Sequence, residues 1–139
     1  MPRAPSLKEI DCMFEATTIT LDGIRTSAKE MHDNGWRFIT ATIVDLGDAG
    51  FDVLYHYDKD ISETHFRLTV PKGTVLPSIS DIYFCALLVE NENRDLFGLE
   101  YEGLVLDFNR TLYLEEAGDP VTAPFCKIST FTKPLKTEA

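Results

Sequence analysis

Five carboxylates fall between residues 90 and 102: Glu90, Glu92, Asp95, Glu100 and Glu102, with Arg94 the base among them. Paired carboxylates can serve as general acid and base. Here they sit on a predicted helix exit and its flank. Glu90 and Arg94 stand four residues apart, a spacing that makes a surface ion pair worth roughly a few tenths of a kcal/mol. Three readings stay open for the cluster: a solvated helix face, a docking surface for a basic partner, or a small catalytic site. A second candidate is the pair His56 and His65, which fall on neighbouring predicted strands and can approach across a hairpin. With Asp52 or Asp58 they offer a metal site. The alternative is two half-exposed strand residues, because no third ligand has a fixed spacing.

Nucleophile and phosphate motifs are absent: there is no GxSxG, HExxH, GxxxxGK[ST] or GxGxxG. Cys12, Cys85 and Cys126 are scattered and odd in number, which argues against a disulfide framework and against a zinc or iron–sulfur site. Cys85 lies in the apolar run Ile82–Val89 and is expected to be a buried free thiol.

The elements that must position these residues follow from periodicity. Residues 1–15 form an expected N-terminal arm, 16–116 one domain and 117–139 an irregular tail with Pro120, Pro124 and Pro134. Ala16–Leu21 is β-branched and starts as a strand. Asp22 is placed to N-cap a helix bearing Ile24, Ala28 and Met31, which Gly35 ends. Three strands follow. Trp36–Asp45 has two partly apolar faces and is expected to be central. LGDAG is the turn to Phe51–Tyr57, and a polar turn over 58–63 leads to His65–Val70. Such short connections predict an antiparallel meander. KGTVLPS is an expected loop. Ser78 or Ser80 then caps a helix over Ser80–Phe97, which Gly98 stops. Its first half is apolar and its second half, ENENRD, polar, so the second half is expected to face solvent or a partner. Tyr83, Phe84 and Phe97 are core or interface aromatics, and Trp36 is a packing anchor. LVLDF and TLYLE are short strand candidates. The fold class is α+β: a mainly antiparallel sheet with helices packed on one face.

Length and charge bound the function. At 139 residues the chain is one domain. Lys and Arg number 13 against 23 Asp and Glu, a net charge of −10. That repels phosphate and anionic lipid, so nucleic acid is not an expected partner and contact with a membrane is expected only through other proteins. The longest apolar run has eight residues, well short of the roughly 20 that a spanning helix needs. No secretory signal is visible at the N-terminus, and a cytoplasmic location is expected.

The segment Trp36–Gly103 resembles the 30 kDa NADH dehydrogenase family of respiratory complex I. The family's P-S-x-x-D-[IL]-[YF] element is matched by Pro77-Ser78-Ile79-Ser80-Asp81-Ile82-Tyr83. Its E-R-E signature, two residues, an acid, two apolar residues and glycine, is matched by Glu90-Asn91-Glu92, Asn93-Arg94 and Asp95-Leu96-Phe97-Gly98, with Asn91 in place of arginine. The family's following His-Pro-x-x-Arg is replaced by Leu104-Val105-Leu106-Asp107-Phe108. In that respect the chain is closest in look to the homologous small subunit of Ech-type energy-converting [NiFe] hydrogenases.

The resemblance implies a non-redox structural or assembly subunit with no catalytic site and no cofactor of its own. [NiFe] and iron–sulfur centres are then expected in its partners, the hydrogenase-large-subunit-like and iron–sulfur proteins of the same complex. Localisation follows as peripheral, on the inner face of the cell membrane. Glu90, Glu92, Asp95, Phe97 and Gly98, with Ser78 and Asp81, form the expected partner-docking or motif-stabilising set. An exposed interface would also let the isolated domain dimerise. Two other readings remain at this point: a stand-alone acidic regulatory module, and a small enzyme using the acids or the histidines.

Overall fold

The computed structural model describes residues 15–113. In chain order the elements are β1 (Thr17–Thr18), α1 (Gly23–Asp33), β2 (Arg37–Asp45), β3 (Phe51–Lys59), β4 (Ser62–Val70), β5 (Val75–Pro77), α2 (Ala86–Phe97) and β6 (Glu100–Glu102). Four strands form one sheet in the order β1-β4-β3-β2. β2, β3 and β4 run antiparallel, and the two-residue β1 pairs parallel to β4 at Phe66 and Arg67.

Alternation in β3 fixes which face is which. Phe51, Val53, Tyr55 and Tyr57 point one way, and the cross-strand partners Ala41, Ile43, Phe66, Leu68 and Val70 join them. Ile24 and Ala28 of α1 and Ala86 of α2 enter the same core, so both helices cover one face. Trp36 packs at its margin, and its carbonyl accepts the Tyr83 hydroxyl at 2.8 Å. The α+β class and the meander agree with the sequence.

Several expectations are corrected. β2 lies at the sheet edge, and β3 and β4 are the inner strands. The register slips between Phe38 and Thr40, so Ile39 is the extra residue and stands 47% exposed. This bulge returns Phe38 to the core face with Ala41 and Ile43. Strict alternation gives β2 two half-apolar faces because it does not allow for the slip. The strands β3 and β4 also reach further than expected and close on the two-residue turn Asp60–Ile61, where both φ angles are positive.

The Asp22 carboxylate makes no cap hydrogen bond; the Thr20 hydroxyl accepts from Gly23 N instead. Neither Ser78 nor Ser80 caps α2, which starts at Ala86 behind Cys85. Residues 80–85 are turns, and Cys85 is exposed, because the apolar run is split between turn and helix. The expected loop KGTVLPS contains β5, which pairs parallel with β6. LVLDF is not a strand but a strap of bends after β6, and Thr111–Tyr113 is likewise not strand. The arm before Glu15, Cys12 and Cys126, the last residues of TLYLE and the tail lie outside the described residues.

Candidate functional site

Helix α2 turns its polar residues inward. Ala86, Glu90 and Asn93 follow one another at helical spacing, as do Leu87, Asn91 and Asp95, and all six are buried. The stripe that begins apolar thus continues polar on the same face. The expectation that ENENRD faces solvent or a partner is corrected for Glu90 and Asp95, each 1% exposed. Glu92 is half-buried.

Three of the four buried polar side chains, Glu90, Asn91 and Asp95, hold backbone elsewhere in the chain. Glu90 Oε1 accepts from Ile79 N at 2.9 Å, and Oε2 accepts from the Ser78 hydroxyl at 2.5 Å. Ser78 Oγ also bonds Ser80 Oγ at 2.7 Å, and Ser80 Oγ accepts from Val105 N at 3.0 Å. Asn91 Nδ2 donates to Leu87 O at 2.7 Å and to Leu106 O at 2.9 Å, while its Oδ1 accepts from Phe108 N at 3.0 Å. Asn93 Nδ2 donates to the Tyr101 hydroxyl at 3.2 Å. Asp95 Oδ2 accepts from Tyr113 N at 2.8 Å. One helix therefore fixes the 78–80 loop on one side and the 105–113 strap on the other. Among the described residues, Asp95 Oδ1, Arg94 Nε and Tyr55 Oη are buried without a hydrogen-bond partner.

Arg94 does not pair with Glu90. Its guanidinium binds Asp107 and reaches Glu100 at 3.5 Å, and Arg110 also pairs with Glu100. On the outer side of the same loop, Asp81 is gripped by both guanidinium nitrogens of Arg25 at 2.7 Å, and Arg25 also donates to Ser78 O. That fork holds the Asp81 carboxyl below its usual range. Phe97 stacks edge-on against Phe51, with ring centroids 6.4 Å apart, and Gly98 at φ 70° ends the helix in the left-handed region.

Burial dominates the chemistry of Glu90. It pushes the carboxyl up to about 7, against the lowering effect of the Ile79 amide and the Ser78 hydroxyl. The folded chain consequently binds more protons at this site than the unfolded chain between about pH 4.5 and 7, and the fold loses stability as pH rises through that window.

These positions are those of the two sequence elements singled out above, Pro77–Tyr83 and Glu90–Gly98, now joined through the Ser78–Glu90 bond. A family model described as the respiratory-chain NADH dehydrogenase 30 kDa subunit matches residues 17–132. The chain belongs to this family. Among solved structures, a chain of the membrane-bound sulfane sulfur reductase, an archaeal respiratory membrane complex, is similar with a TM-score of 0.66 and 19% identity. The likeness covers 86% of this chain and 76% of that one. A trypsin-resistant fragment of Nqo5 is similar with a TM-score of 0.55 and 24% identity, over 62% of this chain and 76% of that one. At these identities the likeness speaks for the fold. Comparison with curated proteins gave no match.

The histidines of this 30 kDa-family chain do meet. His56 Nδ1 lies 2.8 Å from His65 Nδ1, and His56 Nε2 lies 2.8 Å from Thr42 Oγ1. Partial burial, reinforced by the neighbouring His65, holds His56 below its usual pKa. The expected third ligands are engaged elsewhere: Asp52 by Arg67 and Thr69, and Asp58 by Arg37. Among the described residues, no three His, Cys, Asp or Glu side chains are grouped as a metal site.

The inward lattice also includes Asn91, Asn93 and Ser80, which the sequence did not single out as site residues. The available signal was the spacing itself, since positions 86, 90 and 93 keep the helical period while their chemistry changes.

Proposed function

We propose that this chain is a non-redox structural subunit of a membrane-bound energy-converting complex, either an Ech-type [NiFe] hydrogenase or a complex I-like NADH:quinone oxidoreductase. It docks on the hydrogenase-large-subunit-like and iron–sulfur proteins, which carry the [NiFe] and iron–sulfur centres. Its place is peripheral, on the inner face of the membrane, held there by the complex. The family match over residues 17–132 carries this reading. The replacement of the family's His-Pro-x-x-Arg by Leu104–Phe108 favours the hydrogenase type. The local chemistry supports a structural role: of the signature acids, Glu90 is held by internal hydrogen bonds and Asp95 accepts one through Oδ2, while Asp52 and Asp58 are held by arginines. Among the described residues, no helix is long and apolar enough to cross a membrane.

The test is affinity purification of the tagged full chain from gently solubilised membranes of its own cells, followed by mass spectrometry. The large-subunit-like and iron–sulfur proteins are expected in amounts comparable to the chain. Recovery of the chain alone contradicts the proposal.

A further inference from the structure

With Glu90 and Asp95 turned inward, the outer surface of this helix and of the turn before it is left to other residues. The residues left outside are apolar. Phe84 is 69% exposed and Leu88 56%, with Cys85 exposed between them. Phe84 and Leu88 stand four residues apart across the turn and the first helical turn, so they share a face. Val105 and Leu106 of the strap are about half exposed. Asn91 ties the strap to that face, because its one amide nitrogen binds both Leu87 O and Leu106 O. Val105 is held by Ser80, at the start of the turn that carries Phe84. The signature lattice therefore gathers five exposed apolar or sulfur side chains from two segments and fixes them in place. An exposed apolar patch with a rigid, hydrogen-bonded backing is the physical form of a protein contact.

The rim is acidic. Glu92 lies one turn beyond Leu88, and Asp107 follows Leu106 directly. Asp107 is partnered by Arg94, which leaves Glu92 as the rim acid with no ion pair among the described residues, so the rim's uncompensated charge is negative. Two copies meeting through this patch would set acid against acid, which disfavours a self-association. An anionic lipid surface is repelled for the same reason.

We propose that Phe84, Cys85, Leu88, Val105 and Leu106 form the docking patch for another subunit, and that the segment it receives is apolar with lysine or arginine at its flanks. This rests on the proposed function, since it names the surface through which that docking occurs.

Two measurements test it. In the first, Cys85 of the purified full chain and of the solubilised complex is alkylated with iodoacetamide and followed by peptide mass spectrometry. The thiol is expected to react on the order of tenfold more slowly in the complex. Equal rates in a complex that contains the chain overturn the patch and leave subunit membership standing; a chain recovered without partners overturns both. In the second, Leu88→Glu is expected to lower recovery of the chain in the complex on the order of tenfold, as for a central interface residue. Its thermal melt is expected to stay unchanged, because Leu88 is exposed. Full recovery overturns the patch, as does a photocross-link from position 88 to a second copy of this chain. A cross-link to a partner segment with flanking basic residues supports it.

Discussion

Glu90→Lys is expected to abolish the cooperative melt of the isolated chain at pH 7. The carboxyl it replaces is 1% exposed and closes the 78–80 loop through Ile79 N and the Ser78 hydroxyl. Lysine removes both acceptors and leaves an ammonium facing the amide it cannot accept from. Breaking a buried charged network in this way costs about 3–5 kcal/mol, and an uncompensated buried charge adds to that. Domains of this size hold roughly 5–15 kcal/mol in total. Glu92→Lys, on a half-buried neighbour, is expected to change stability by no more than about 0.5 kcal/mol. Circular dichroism melts of the two variants separate an inward acid from an outward one. If the acids served mainly as docking charges, both chains would fold and both would lose their partners.

Gly50→Ala is the second large expected effect. Gly50 sits at φ 106°, after the 3-10 turn Gly47–Ala49 that links β2 to β3. A Cβ there would stand 2.1 Å from Val70 O and 2.9 Å from Pro71 Cα. Both are backbone atoms at the end of β4, so no side chain can swing aside. Left-handed strain and overpacking together are expected to cost roughly 3–5 kcal/mol. Gly47→Ala is the control. It also has a positive φ, but its Cβ would meet nothing within 4 Å, and a loss of about 1–2 kcal/mol is expected. Urea unfolding of the two variants measures the difference. Equal midpoints would contradict the close packing of the β2–β3 turn against the end of β4.

What is legible in the sequence follows from local rules. The β3–β4 hairpin is readable because Phe51 to Tyr57 and Phe66 to Val70 alternate without interruption. Gly35 and Gly98 mark helix ends because a left-handed residue is needed at each. The edge position of β2 is hidden because a bulge at Ile39 is a tertiary accommodation that leaves no mark on a simple period. β5 and β6 are three residues each and pair across a helix, so no local pattern announces them. The spacing places the start of α2 six residues too early because Ile82, Ala86 and Val89 keep a helical period through what is a turn.

The site shows the same division. The resemblance picks out Ser78, Asp81, Glu90 and Asp95, and the structure brings Ser78 and Glu90 together and gives Asp81 to Arg25. Their direction is not legible. Acidic residues are seldom fully buried, so a run such as ENENRD reads as surface unless its partners are known. The partners here are the Ile79 amide and the Ser78 hydroxyl, eleven and twelve residues upstream of Glu90, and the Tyr113 amide, 18 residues downstream of Asp95, which no helical pattern can reveal. The acidity of the segment consequently means less for docking than its composition suggests. Of its five acids, Glu90 and Asp95 are internal and Glu100 is tied to arginines.

The central claim is that the signature acid locks the fold from inside. The most direct measurement is urea unfolding of wild type and Glu90→Gln from pH 4.5 to 8. Glutamine keeps an acceptor for Ile79 N and donates to Ser78 Oγ, but does not ionise. Other titrating groups, His56 among them, are common to both chains and cancel in the difference. Wild type is expected to lose about 3 kcal/mol relative to Glu90→Gln as pH rises from about 4.5 to 7, following a carboxyl raised to about 7. Parallel profiles across that range would mean that Glu90 titrates as an exposed carboxylate, and would contradict the account.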